Sequence, residues 1–225
     1  MHYMLYFLYI LSYIFFCNWF QIYSFASVFF GSKNRINELH DPWIQSTVKK
    51  KTGLSLLSIS LFHDKKMYGM MPGFPLWPKM ILSEGLYKTL NRDELEWVIL
   101  HETAHCVFWH NAIAAFLQIS VLTTSIWIIQ IMNPPLIIIP ILSIFSSILC
   151  IQSIRWIVEY AADSYSIARV DNPIGVISAQ KKFKDSYAKN LFNREGSIIR
   201  LLFHWNIPAS KRISMAKKRI DNSIK

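Results

Sequence analysis

His101-Glu102-Thr103-Ala104-His105 sets two imidazoles four residues apart with a carboxylate beside the first. On a helix, residues four apart lie about 40° from each other around the axis, so both rings can reach one metal ion. The glutamate projects near the ion's open coordination position, where it can take a proton from a bound water. The chemistry this arrangement supports is hydrolysis at zinc, with one Zn2+ per chain. A catalytic zinc takes three protein ligands and keeps one position open. Glu159, 54 residues after His105, is the best-placed third ligand, and Asp163 follows it by about one helical turn. A carboxylate at 163 can accept the free N–H of a ligand histidine, fixing its tautomer and raising its basicity.

Such a site needs a rigid helix under the histidines and a connection that brings Glu159 back to them. Asn91-Arg92-Asp93-Glu94 reads as a helix start, with Asn91 as N-cap and Glu94 three residues on. Leu95, Val98 and Ile99 continue at helical spacing, and the metal helix is expected to run unbroken into the apolar segment after it. Residues 111–154 contain no Lys, Arg, Asp or Glu. Asn111–Met132 reads as one membrane span, Pro134-Pro135 as a turn, and Leu136–Ile154 as the returning span, each roughly 28–33 Å long. Such a hairpin returns Glu159 to the depth at which the metal helix ends.

Tyr3 to about Phe30 reads as a further, uncleaved span. It has no basic n-region and no A-x-A site, which argues against a signal peptide. The chain as a whole is 52% apolar and 17% charged, more apolar than an average soluble domain. Its formal charge is +10, and all 24 basic residues lie in two blocks, 10 within 31–110 and 14 within 155–225. Basic blocks alternating with apolar spans follow the positive-inside rule rather than the single basic face of a nucleic-acid binder. The expected location is therefore the plasma membrane, multi-pass, with both basic blocks and the metal site on the cytoplasmic side and no nucleic-acid partner. Cys17, Cys106 and Cys150 form no C-x-x-C and imply no disulfide framework.

Gly53–Phe62 and Lys79–Ser83 read as strands, and Met67–Pro78 as an irregular or edge strand. Helices are expected over Trp156–Val170, stopped by Asp171-Asn172-Pro173, and then around 174–192 and 207–222. His110, one turn beyond His105, reads as an interfacial residue. The expected fold is a mainly α membrane protein with about three transmembrane helices and a cytoplasmic zincin-like α+β metalloprotease domain with a small sheet. Its parts are an N-terminal transmembrane helix (1–30), a strand region with the HExxH helix (31–110), a transmembrane hairpin (111–154) and a helical part with the third ligand (155–225).

Three motifs together resemble the M48 family of integral-membrane zinc metallopeptidases, which includes HtpX and the type I CAAX prenyl endopeptidase. They are Leu86 through His105, Glu159-Tyr-Ala-Ala-Asp163 with the residues after it, and Pro208-Ala-Ser-Lys-Arg212-Ile213. The resemblance implies a zinc metalloendopeptidase with His101, His105 and Glu159 as ligands and Glu102 as general base. It implies a peptide substrate added as a strand beside an edge strand within Leu54–Met71. The family's C-terminal histidine aligns with Asn206, and His204 stands two residues away. His204, Asn206 and Arg212 are thus the candidates for stabilising the oxyanion. The expected substrates are membrane-associated or misfolded proteins. The alternatives are a sensor protease of the M56 kind that cleaves itself or one partner, and a protease that matures a dedicated peptide.

Overall fold

The computed structural model describes residues 7, 9–11, 13, 14, 36–71, 76–132, 138–188 and 207–224. Among these the chain is mainly helical, with one small mixed sheet. It divides into two compact units, residues 1–33 with 112–155, and residues 34–111 with 156–225. His101, Glu102, His105, Glu159, Asp163 and Arg212 all belong to the second.

The sheet of that unit has four strands: β1 (Ile36–Glu38), β2 (Ser58–Phe62), β3 (Gly69–Met70) and β4 (Lys79–Ser83). Their order is β1-β2-β4-β3. β1 runs antiparallel to β2, β2 parallel to β4 with Ser58 opposite Lys79, and β3 antiparallel to β4 with Gly69 opposite Leu82. Met80 and Leu82 of β4 are fully buried on one face of the pleat. The strand expected from Gly53 begins only at Ser58, because Gly53 closes the preceding helix.

That helix, α1 (Pro42–Thr52), is capped at both ends. Asp41 accepts the Trp43 N–H at 3.0 Å as N-cap, and Pro42 opens the first turn. Lys49, Lys50 and Lys51 fill the last turn, and Gly53 sits at φ 75° with its N–H on the Lys49 carbonyl. Ser83 ends β4 and caps α2 (Glu84–Thr89), accepting the Leu86 N–H at 3.2 Å.

α3 (Arg92–Val107) begins with the expected capping box. Asn91 accepts the Glu94 N–H at 3.0 Å, and the Glu94 carboxylate accepts the Asn91 N–H at 2.8 Å. The helix does not run on into the apolar segment. Phe108 caps it, Trp109 takes φ 55°, and a new helix, α4 (His110–Met132), starts at His110. The expectation of one unbroken helix is thus corrected: a left-handed residue between the two breaks the ladder.

α5 (Ile138–Arg169) is continuous from the apolar segment through Glu159 and ends ahead of Asp171-Asn172-Pro173. α6 (Pro173–Ala188) and α7 (Ala209–Ile224) follow. Of the expected spans, α4 is the one helix among the described residues that is long and apolar enough to cross a membrane. Most of the span expected over Tyr3–Phe30, and the Asn133–Pro135 turn, fall outside the described residues.

The core of the second unit joins Ile44 and Val48 of α1, Ile59, Met80 and Leu82 of the sheet, Ile99 and Leu100 of α3, and Val176 and Ala179 of α6. α3 lies in the middle, packed against α1 and α6, and α6 packs on α7. In the other unit, Tyr9 and Ile129 are buried together beside Leu122 and Ile126, and the Tyr13 hydroxyl donates to the Gln118 carbonyl at 3.1 Å.

Candidate metal centre

α3 has no single apolar stripe. Leu95, Val98, Ile99 and Leu100 are buried together with Glu94, Glu96 and His101, so the helix is enclosed on several sides. Polar groups held that deeply need partners, and each of these acids has one. Glu94 takes Lys182 at 2.7 Å, and Glu96 pairs with Lys51 and accepts the Asp171 N–H at 2.9 Å. α3 is therefore clamped in its N-terminal half, ahead of the two histidines.

The Nε2 atoms of His101 and His105 are 3.3 Å apart. Glu159, on α5, brings Oε2 within 3.4 Å of the first and Oε1 within 3.6 Å of the second. One ligand atom from each of the three residues falls within a cluster no wider than 4.8 Å, a group that could hold a metal ion. Two imidazoles and a carboxylate suit zinc with one position left open.

Asp163 is fully buried one turn beyond Glu159, and its Oδ1 stands 2.9 Å from Nδ1 of His101. The two atoms meet without an aligned hydrogen bond, and neither has another hydrogen-bond partner. His101 is thus approached on one nitrogen by Glu159 and on the other by Asp163. Arg212, on α7, donates from Nε to Asp163 Oδ2 at 2.6 Å and from its terminal nitrogen to Glu159 Oε2 at 3.4 Å. Its guanidinium also lies 5.6 Å from the centre of the Trp97 ring.

The electrostatics of the cluster are those of a cation site. Burial works against a charged His101, but the negative charges of Asp163 and Glu159 beside its two nitrogens outweigh it and push its pKa up to about 10. Burial likewise opposes ionised Glu159, yet His101 by hydrogen bond and charge, then His105 and Arg212, bring it down to about 2. His105 falls to about 3 through burial and the charge on His101. The carboxylates therefore favour one positive charge at the point where the three ligand atoms converge, which fits a metal cation.

Glu102 lies on the same helix turn. Burial pushes its pKa up to about 7, the positive charges of His101 and Arg212 opposing the rise and the negative charges of Glu159 and Asp163 adding to it. A carboxyl poised there can both take and give a proton near neutral pH. Edge strand β3 passes directly beside it: a Cβ built on Gly69 would sit 3.3 Å from Glu102 Cγ and 3.5 Å from Val98 Cγ1. Gly69 thus lets the sheet edge approach the acid, a role no local sequence signal gave away.

Of the residues singled out in the sequence, the structure brings together His101, Glu102, His105, Glu159, Asp163 and Arg212. His204 and Asn206 lie outside the described residues. His110, read as interfacial, is instead buried with its Nδ1 2.9 Å from Nδ1 of His105. Its approach depends on the break at Trp109, which the sequence alone did not reveal.

The sequence model of peptidase family M48 matches residues 38–206. The fold is similar to the crystal structure of S. mikatae Ste24p, with a TM-score of 0.59 at 14% identity. That match covers 96% of this chain and 57% of the Ste24p chain, so this chain spans little more than half the length of that protein. No curated protein matches the sequence.

Proposed function

We propose, from the premise that this chain belongs to peptidase family M48, that it is a membrane-embedded zinc metalloendopeptidase acting on membrane-associated or misfolded proteins at the cytoplasmic face. The observation that carries this reading is the convergence of His101, His105 and Glu159, with the second nitrogen of His101 facing buried Asp163. His101, His105 and Glu159 would hold the zinc. The ion supplies Lewis acidity to the scissile carbonyl and to the attacking water.

Everything else is the work of the chain's own side chains. Glu102 accepts the proton of the attacking water and returns it to the leaving amine. Asp163 orients the His101 ring, and Arg212, gripping Asp163 and Glu159, holds both carboxylates in place. Charge developing on the carbonyl oxygen is met by a donor of the C-terminal segment, with Arg212, His204 and Asn206 as the candidates. The substrate adds as a strand alongside β3, whose edge runs past Glu102.

Membrane attachment rests on the uncharged stretch 111–154 and on the exposed apolar surface of α4. The multi-pass topology and cytoplasmic orientation rest on the two basic blocks that flank it. The division into membrane parts 1–30 and 111–154 and catalytic parts 31–110 and 155–225 belongs to the same proposal. Purified in detergent, the chain is expected to cleave an unfolded protein substrate, to stop on zinc chelation and to recover on adding zinc back. Cleavage indifferent to chelation would sink the metallopeptidase reading.

A further inference from the structure

α3 and α4 meet at a two-residue joint, and the joint has a consequence for His105. Along an unbroken helix, residues five apart point about 140° away from each other, so His110 would face away from His105. Trp109 at φ 55° redirects the chain, and His110 re-enters beside His105 as the first residue of α4. A bulky side chain in the left-handed region is strained, and such strain persists where the surroundings hold it.

What surrounds His110 holds its ring. The residue is only 6% exposed. The Phe108 ring stacks against it at 30° with centroids 5.5 Å apart, and Phe108 is braced edge-on by Tyr165 at 5.0 Å. His110 and His105 meet at right-angled ring geometry, 70° between planes, with Nδ1 to Nδ1 at 2.9 Å.

We propose that His110 is the positioning residue of His105: its Nδ1 accepts the Nδ1–H of His105 and so fixes the tautomer and ring angle that present Nε2 to the metal. The inference rests on the metal reading of the site. A histidine that ligates through Nε2 must carry its proton on Nδ1, and that proton needs an acceptor. His101 finds buried Asp163 there, at 2.9 Å. His105 finds an imidazole in the corresponding place, its own proton then on Nε2. The two ligands are thus oriented by unlike partners, an anion for one and a neutral ring for the other. The carboxylate leaves His101 the more electron-rich ligand.

Three variants in the full chain, purified in detergent, separate this role from packing. His110→Phe keeps a planar ring without an acceptor, His110→Ala removes both, and His110→Asn places an amide oxygen near the position of Nδ1. Zinc affinity is read by competition with a chromophoric chelator, and ligand geometry by the visible spectrum of the cobalt-substituted protein. His110→Phe and His110→Ala are expected to weaken zinc by about 10- to 100-fold and to alter the cobalt spectrum, while His110→Asn restores most of both. Parental zinc affinity and cobalt spectrum in His110→Phe would overturn the positioning role alone. So would His110→Asn as impaired as His110→Ala while melting like the parent. A parent chain that binds no zinc would overturn the positioning role and the metal reading together.

Discussion

α3 and α4 follow each other in sequence with only Phe108 and Trp109 between them, and both are rich in apolar residues, yet they are built for different surroundings. In α3, eleven residues are buried, among them Glu94, Glu96 and His101, and each of these acids has a protein partner. In α4 only His110 and Ile129 are buried, and Phe116, Ile119, Trp127 and Ile131 stand exposed. No residue of α4 after His110 carries a charge. An enclosed helix can carry ionisable groups because the protein supplies their counter-charges. A helix facing hydrocarbon has no such supply and must do without them. Metal chemistry can therefore be written into α3 and not into α4 beyond His110, the residue at which the site ends.

The largest effect that tests this contrast is on stability. Leu100 is fully buried in α3, and Leu100→Ala is expected to destabilise the second unit by about 2–5 kcal/mol. Phe116 in α4 is 70% exposed, and Phe116→Ala should leave the melting temperature in detergent nearly unchanged. Equal losses from the two would mean that α4 is covered by protein after all.

A smaller effect is expected at the sheet edge, where α3 meets β3. Gly69→Ala puts a methyl 3.3 Å from Glu102 Cγ, tighter than ordinary contact, so the acid must move by a few tenths of an ångström. A drop of about tenfold in kcat, with zinc content and melting temperature retained, is the expected outcome. Unchanged kcat would separate β3 from the reacting centre.

The smallest effect concerns the charges that enclosure permits. Burial raises the pKa of Glu94, but Lys182, the Asn91 N–H and Ser178 lower it more, leaving it below the ordinary carboxylate range. A folded-state pKa below the unfolded one stabilises the protein above the unfolded value, about 4.3, and that contribution is lost as pH falls through the folded value. Glu94→Gln should therefore lower stability at neutral pH and flatten its decline in acid. An acid limb identical to the parent's would remove Glu94 from the account.

Much of the site could be read from the chain because its signals are local or follow from chain reversal. His101, Glu102 and His105 sit within one helical turn and a half, the Asn91–Glu94 box marks where that helix begins, and a long uncharged stretch followed by Glu159 implies a return. β4 was equally legible, as the short apolar run Lys79–Ser83. What stayed hidden depends on contacts between distant segments or on backbone angles that residue type does not announce. The parallel pairing of β2 with β4, the approach of Gly69 to Glu102 and the grip of Arg212 on Asp163 and Glu159 are all of the first kind. Trp109 is of the second: nothing about a tryptophan predicts a positive φ, and so the pairing of His110 with His105 could not be foreseen. α1 is a different case: Asp41-Pro42, the three lysines and Gly53 are local end signals, yet no helix is expected there and Gly53 reads as the start of a strand.

Activity and metal content separate cleanly in one variant. Glu102→Gln, purified in detergent beside the parent, should retain one zinc per chain and lose proteolysis, because the ligands are intact and the proton acceptor is gone. Zinc retained with cleavage at the parental rate would contradict the account.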